Sequence, residues 1–285
     1  MPRPYLLLST VAAVTVASGV AIVGLARGNE PATIVEAPHP SASASRSAPS
    51  SAPAVPPAAE PPAGLPVIAY AKGPAGLPAD PAPASTAAIT EALRPETTVA
   101  LYDAPGGTPR AVLPARISGL RVLAPIVARQ NGWVAVLAPA ANRRIGWVPA
   151  ENAGWTAEPL RDQLVVDLSE RRLSWLREGA EKGRWTVAIG TRQTPTPLGR
   201  TFVMGRTGTS GPVYAGLDAL VLGSVPEEPE KLAASLRKAH TGIHAWTNTS
   251  VFGDDVSNGC VRTPAAVQKK LLAQIDPGTP VIVTA

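Results

Sequence analysis

Between residues 31 and 90, 39 of 60 positions are proline, alanine or serine. This stretch sets the terms for the rest of the chain. Side chains this small bury too little apolar surface to offset the entropy of ordering the backbone. Runs such as Ser41-Ala42-Ser43-Ala44-Ser45 and Pro53-Ala54-Val55-Pro56-Pro57 read as a semi-extended, disordered linker over residues 29–95. It would reach on the order of 200 Å as polyproline II, or about 45 Å as a flexible coil. Folded structure is therefore expected after residue 95. The whole-chain values of 16% charged and 4% aromatic residues are diluted by the linker.

Ahead of the linker, residues 5–26 form an uncharged, mostly apolar run. As a helix it is roughly 33 Å long, enough for a hydrocarbon core of about 30 Å. Arg3 precedes it, which orients the N-terminus to the cytoplasm and the remainder outside. A cleaved signal peptide is the rival, but its apolar core is shorter, about 7–15 residues, and Gly24-Leu25-Ala26-Arg27 is a poor cleavage site. Residues 1–28 are expected to be a membrane anchor or signal segment, with an extracytoplasmic remainder. Lipidation is excluded there because the only cysteine is Cys260.

From residue 97 the texture becomes β-type, with short runs punctuated by turn signals. Val99 to Tyr102 leads into Asp103-Ala104-Pro105-Gly106-Gly107; Gly132-Trp133-Val134 and Gly146-Trp147-Val148 follow. The repeated Gly-Trp-Val strands resemble the bacterial SH3-like barrel, assigned to residues 96–157 and expected to fold on a core of its own. Its tryptophans fill a small core or line a groove for cell-wall polymer. Beyond Trp155, Leu164 to Leu168, Leu173 to Leu176, Trp185 to Gly190 and Thr201 to Met204 read as a β-meander. Residues 227–239 read as a helix with Leu232 and Leu236 on one face. A last helix follows Thr263-Pro264 as cap and first turn, and residues 280–284 form a closing strand.

The chemistry concentrates in Gly242-Ile243-His244-Ala245-Trp246 and Ser257-Asn258-Gly259-Cys260-Val261-Arg262. A lone cysteine cannot form an intramolecular disulfide; beside a histidine base it is a nucleophile. Ser-Asn-Gly is turn-forming and lets the backbone approach a substrate. Arg262 offers a fixed cation with a fork for a carboxylate. The plain alternative is a small buried hydrophobe and an unrelated structural histidine.

This pattern, followed by a helix and a terminal strand, resembles the YkuD-type L,D-transpeptidases over residues 160–285, the catalytic domain being drawn at 158–285. The implied fold is mainly β: an SH3-like barrel, then a YkuD-type β-sandwich with a few short helices. The resemblance implies acyl transfer from peptidoglycan stem peptides through a Cys260 thioester, with His244 as base. It assigns oxyanion and support roles to Gly259, Ser257 and Ala245, and substrate contacts to Arg262, Trp246 and Asn258. Two positions depart from the family pattern: Ala245 stands where glycine is common, and Asn258 where a second histidine is common. Asparagine cannot carry a proton, so an auxiliary acid–base role is lost there.

A carboxypeptidase of the same fold and an inactive wall-binding protein remain as alternatives. No cofactor is expected. His240 and His244 suggest a metal pair only superficially, since no third ligand stands at metal spacing. The net charge of +5 suits loose attraction to anionic wall polymers. The absence of a clustered basic run argues against nucleic acid.

Overall fold

The computed structural model describes residues 54–69, 73–140, 144–151, 153–223 and 241–285. The apolar run at 5–26 and the expected helix at 227–239 lie outside them. No helix among the described residues is long and apolar enough to cross a membrane.

The regular structure is mainly β. The first group of strands is β1 (Glu91–Pro95), β2 (Val99–Tyr102), β3 (Pro109–Leu113), β4 (Arg116–Ile117), β5 (Leu120–Arg121), β6 (Ala124–Gln130), β7 (Trp133–Leu137), β8 (Ile145–Pro149) and β9 (Trp155–Pro159). Seven of these form one sheet in the order β3-β2-β8-β7-β6-β1-β9. Alternation of buried and half-buried residues, as in β3, turns Ala111 and Leu113 into a core with Leu93, Leu101, Val134 and Val148.

The second group is β10 (Asp162–Asp167), β11 (Arg172–Arg177), β12 (Ala180–Thr186), β13 (Ile189–Gly190), β14 (Gly199–Thr207), β15 (Ala219–Leu222), β16 (Gly242–Ala245), β17 (Asp255–Ser257), β18 (Val261–Thr263) and β19 (Pro280–Thr284). Eight of them run in the order β12-β11-β10-β19-β14-β15-β16-β18. The helix α1 (Ala265–Gln274) follows β18, and its Val267 and Leu271 join the core of this sheet. The terminal Val281-Ile282-Val283 sits at the sheet's centre, parallel to β10 and antiparallel to β14.

The linker expectation is corrected for its described part. Ile68 and Leu77 are buried in the core of the first sheet. The Ile68 amide donates to Val112 O at 2.8 Å, and the Ile145 amide to Pro78 O at 3.0 Å. Glu91–Pro95, counted with the linker, is strand β1 and pairs with both β6 and β9. Further along, Gln163 Nε2 donates to Thr86 O at 2.8 Å, and Asp80 forms a bidentate pair with Arg200 of β14. Isolated apolar residues in a proline-rich run are too few for a core of their own, yet enough to complete another.

The expectation of a core of its own at 96–157 is corrected for the same reason. That span omits β1, Ile68 and Leu77. A further cluster joins Ala135, Leu137 and Ile145 of the first sheet to Phe202 and Met204 of β14, with Trp147 packed against it. The two sheets thus share apolar contacts. The expected cap at Thr263 also differs: Pro264 occupies the cap position without a side-chain hydrogen bond. The Thr263 hydroxyl instead lies 3.3 Å from His244 O and 3.1 Å from Gln268 Oε1.

Candidate active site

β16 and β18 are parallel neighbours with Ile243 opposite Val261, His244 opposite Arg262 and Ala245 opposite Thr263. Successive residues of a strand point to opposite faces, and directly opposed residues share one. Ile243 and Val261 enter the core on one face. His244 and Arg262 therefore lie on the other; Cys260 immediately precedes β18, and the Gly242 main chain, two residues before His244, hydrogen-bonds its thiol. Residues sixteen apart in sequence come together because the chain between them closes a parallel crossover.

The loop before Cys260 is tied from several sides. The Ser257 hydroxyl donates to Cys260 O at 2.5 Å and accepts from the Gly259 amide at 3.1 Å. Gly259 adopts φ 114°, a conformation that favours glycine. Its amide is thus committed within the loop, which corrects its expected oxyanion role. Thr194 Oγ1 donates to Ser257 O at 3.1 Å, and the Thr191 amide to the same oxygen at 3.1 Å. Asn258 is exposed at the tip of the loop.

His244 is buried, and its Nδ1 lies 2.9 Å from Ala245 O. In the neutral ring Nδ1–H donates to that carbonyl, which leaves Nε2 as the basic nitrogen. Ala245 thus supports the histidine through its main chain, a role open to any residue. Burial lowers the imidazole pKa, the Ala245 bond raises it and the Arg262 charge lowers it, for a net decrease. Burial raises the Cys260 thiol, opposed by a hydrogen bond from the Gly242 main chain and by the Arg262 charge, for a net increase. Each group taken by itself is therefore biased toward its neutral form, a thiol and an imidazole.

Two pH effects follow from these directions. Alkylation of Cys260 by a small haloacetamide should keep rising with pH beyond the ordinary thiol value of 9.0. A rate plateau already complete at neutral pH would show a pre-formed thiolate instead. Any reaction that needs neutral His244 should lose rate on acidification with a midpoint below 6.5, because the folded imidazole protonates less readily than a free one.

The Arg262 guanidinium stacks on Trp246, with Cζ 3.7 Å from the ring centroid. Its Nη1 donates a long 3.4 Å bond to Val256 O, and its buried Nε has no hydrogen-bond partner. A cation fixed by stacking suits a carboxylate or carbonyl arriving at Cys260. Arg262→Ala should slow acylation of Cys260 about ten- to hundredfold, the cost of a charge-assisted contact. Thermal melting checks the result: a collapse of the fold would make the arginine structural.

Two contributors were missing from the sequence expectations. Tyr214, at the end of a 3-10 turn (Pro212–Tyr214), packs edge-on against His244 at 5.0 Å and against Trp246 at 5.8 Å between ring centres. Gln268 of α1 is fully buried and donates to Ile243 O at 3.1 Å and Asp218 O at 2.8 Å. It ties the helix to the histidine strand. The Gly-flanked turn at 211–216 was a visible signal for Tyr214; nothing local marks Gln268. Among the described residues, no cluster of acids, histidines and cysteine is suited to a metal ion.

With this geometry in view, residues 161–283 match the family model of the YkuD L,D-transpeptidase catalytic domain. The match meets the resemblance read from sequence over residues 160–285. No curated protein matches the chain. Solved structures with similarity include the L,D-transpeptidase of Enterococcus faecium, at 21% identity over 44% of this chain and 50% of that one, with a TM-score of 0.34. The catalytic domain from the same organism, acylated by ertapenem, is 22% identical over 44% of this chain and 97% of that one, at a TM-score of 0.32. Bd1075 of Bdellovibrio bacteriovorus is 25% identical over 44% of this chain and 48% of that one, at 0.35. The chain thus spans half the length of the first of these.

Proposed function

We propose that the protein is an exported L,D-transpeptidase that cross-links peptidoglycan stem peptides through a thioester on Cys260. The observation that supports this most is the placement of the sole cysteine at the head of β18, the parallel neighbour of the His244 strand, inside the segment that matches the family model. Cys260 Sγ attacks the carbonyl before the terminal D-alanine of a donor stem, and its proton passes to His244 Nε2. Collapse of the tetrahedral intermediate breaks the C–N bond, and the leaving amine takes that proton. An acceptor amine then attacks the thioester and releases the thiol. The oxyanion is assigned to the Cys260 amide, since the Gly259 amide is engaged by Ser257. Arg262 and Trp246 hold the donor.

The apolar run at 5–26 is assigned to membrane anchorage, and the first sheet to an SH3-like module facing the wall. A reporter fused after Pro95 should be active only on the outer side of the membrane. The decisive experiment incubates the chain with disaccharide-tetrapeptide and follows the products by mass spectrometry. A cross-linked dimer lacking one D-alanine supports the proposal. Trimmed stems alone would make the enzyme a carboxypeptidase, and unchanged substrate a binding protein. Adduct formation with ertapenem, the compound that acylates the Enterococcus faecium domain, tests the thiol separately.

A further inference from the structure

No main-chain to main-chain hydrogen bond ties residues 54–61 to the rest of the described chain; main-chain pairing with the first sheet begins at Pro66 and Ile68. The segment is instead held from below by two side chains of the first sheet. Trp133 Nε1 donates to Pro56 O at 3.0 Å, and Tyr102 Oη donates to Ala59 O at 2.7 Å. The accepting carbonyls are three residues apart. Polyproline II has three residues per turn, so carbonyls at that spacing point the same way. Pro56, Pro57 and Pro61 restrict the backbone to compatible φ values.

The surface beneath is shaped for this segment. Tyr102 and Trp133 meet edge to face at 5.0 Å and are 3% and 1% exposed, so the segment covers both rings. Two glycines with positive φ flank them. A Cβ on Gly106 would lie 2.5 Å from Pro56 Cβ, and one on Gly132 would lie 2.6 Å from Val55 Cγ1. The outer side of residues 57–61 is exposed. A cavity of about 460 Å³ continues beside the segment, between Ala58 and Pro61 on one side and Thr97 and Pro149 on the other. Burial and the nearby Glu60 raise the Tyr102 pKa, which keeps the phenol a donor at neutral pH.

We propose that Tyr102 and Trp133 form a binding groove for proline-rich peptide in the polyproline II conformation, and that the chain fills it with its own residues 54–61. Aromatic rings that donate to the carbonyls of a preformed, N–H-poor strand are a recurrent recognition mode. The resident segment acts as an intramolecular competitor, favoured by the high effective concentration of a short connection. The inference stands on the groove alone and is independent of the catalytic reading.

The test uses the full chain in detergent, tagged at its N-terminus, with a protease site inserted between Ala63 and Gly64, both exposed. After cleavage, the tagged fragment should retain the remainder. A synthetic peptide of residues 54–61 should displace it, whereas the same peptide with Pro56, Pro57 and Pro61 replaced by glycine should be at least about tenfold weaker. Tyr102→Phe should speed release about fivefold, the loss of one hydrogen bond, at unchanged melting temperature. Equal displacement by the glycine peptide would overturn the proposal. So would release that occurs only on global unfolding, which would make the segment a fixed part of the fold. Exchange of fragments within a stable dimer would overturn the assignment of the occupant to the same chain.

Discussion

Cys260→Ser should reduce acylation by on the order of a thousandfold or more while the protein melts as before. Burial biases the Cys260 thiol toward its neutral form. In the proposed mechanism its attack hands one proton to His244 as the carbon–sulfur bond forms. A hydroxyl has a far higher pKa and is a weaker nucleophile in the same place, so proton transfer no longer matches the base. The fold should tolerate the change, because the loop is tied by Ser257 to the Cys260 carbonyl and not to its sulfur. Intact mass with ertapenem should show one adduct on the native chain and none on the variant. Modification of both would require another nucleophile.

Asp80→Ala should be the most destabilising single change outside the site, by about 3–5 kcal/mol. Asp80 and Arg200 are both nearly inaccessible, with side chains 5% and 6% exposed. Arg200 Nε donates to Asp80 Oδ2 at 2.7 Å, and Nη2 bonds the other oxygen. Removal of the carboxylate leaves a buried guanidinium without its counter-charge. The melting temperature should fall by on the order of 10 °C. Arg200→Met alone should also destabilise, but the double variant should be more stable than the sum of the two, the signature of direct coupling. Additive losses would mean that the pair does not act as a unit. This experiment also probes whether the Pro/Ala segment is part of the fold.

The site was legible because its elements are short and local. The turn before Cys260 needs glycine, the proposed base His244 lies sixteen residues upstream, and Arg262 falls two residues on. The strand at 280–284 and the Gly146-Trp147-Val148 strand also followed from local pattern, as β19 and within β8. The protonation state did not follow. A cysteine beside a histidine suggests a thiolate, but burial disfavours the charge on either group, and burial is not written at positions 244 and 260.

Composition misled at residues 54–95. Proline, alanine and serine announce that a segment cannot build a core of its own, and that inference holds. They do not say whether Ile68, Leu77 and Asp80 find complementary surfaces elsewhere. Sequence by itself determined the β character and the motif that holds His244, Cys260 and Arg262, since each rests on residue type and short spacing. Only the tertiary structure decided that the proline-rich segment is bound, that Gly259 is turned inward, and that Tyr214 and Gln268 frame the histidine. The bound segment, Tyr214 and Gln268 depend on contacts between residues tens of positions apart, which leave no periodic trace in one chain, and the Gly259 amide turns on a side-chain geometry that residue type does not specify.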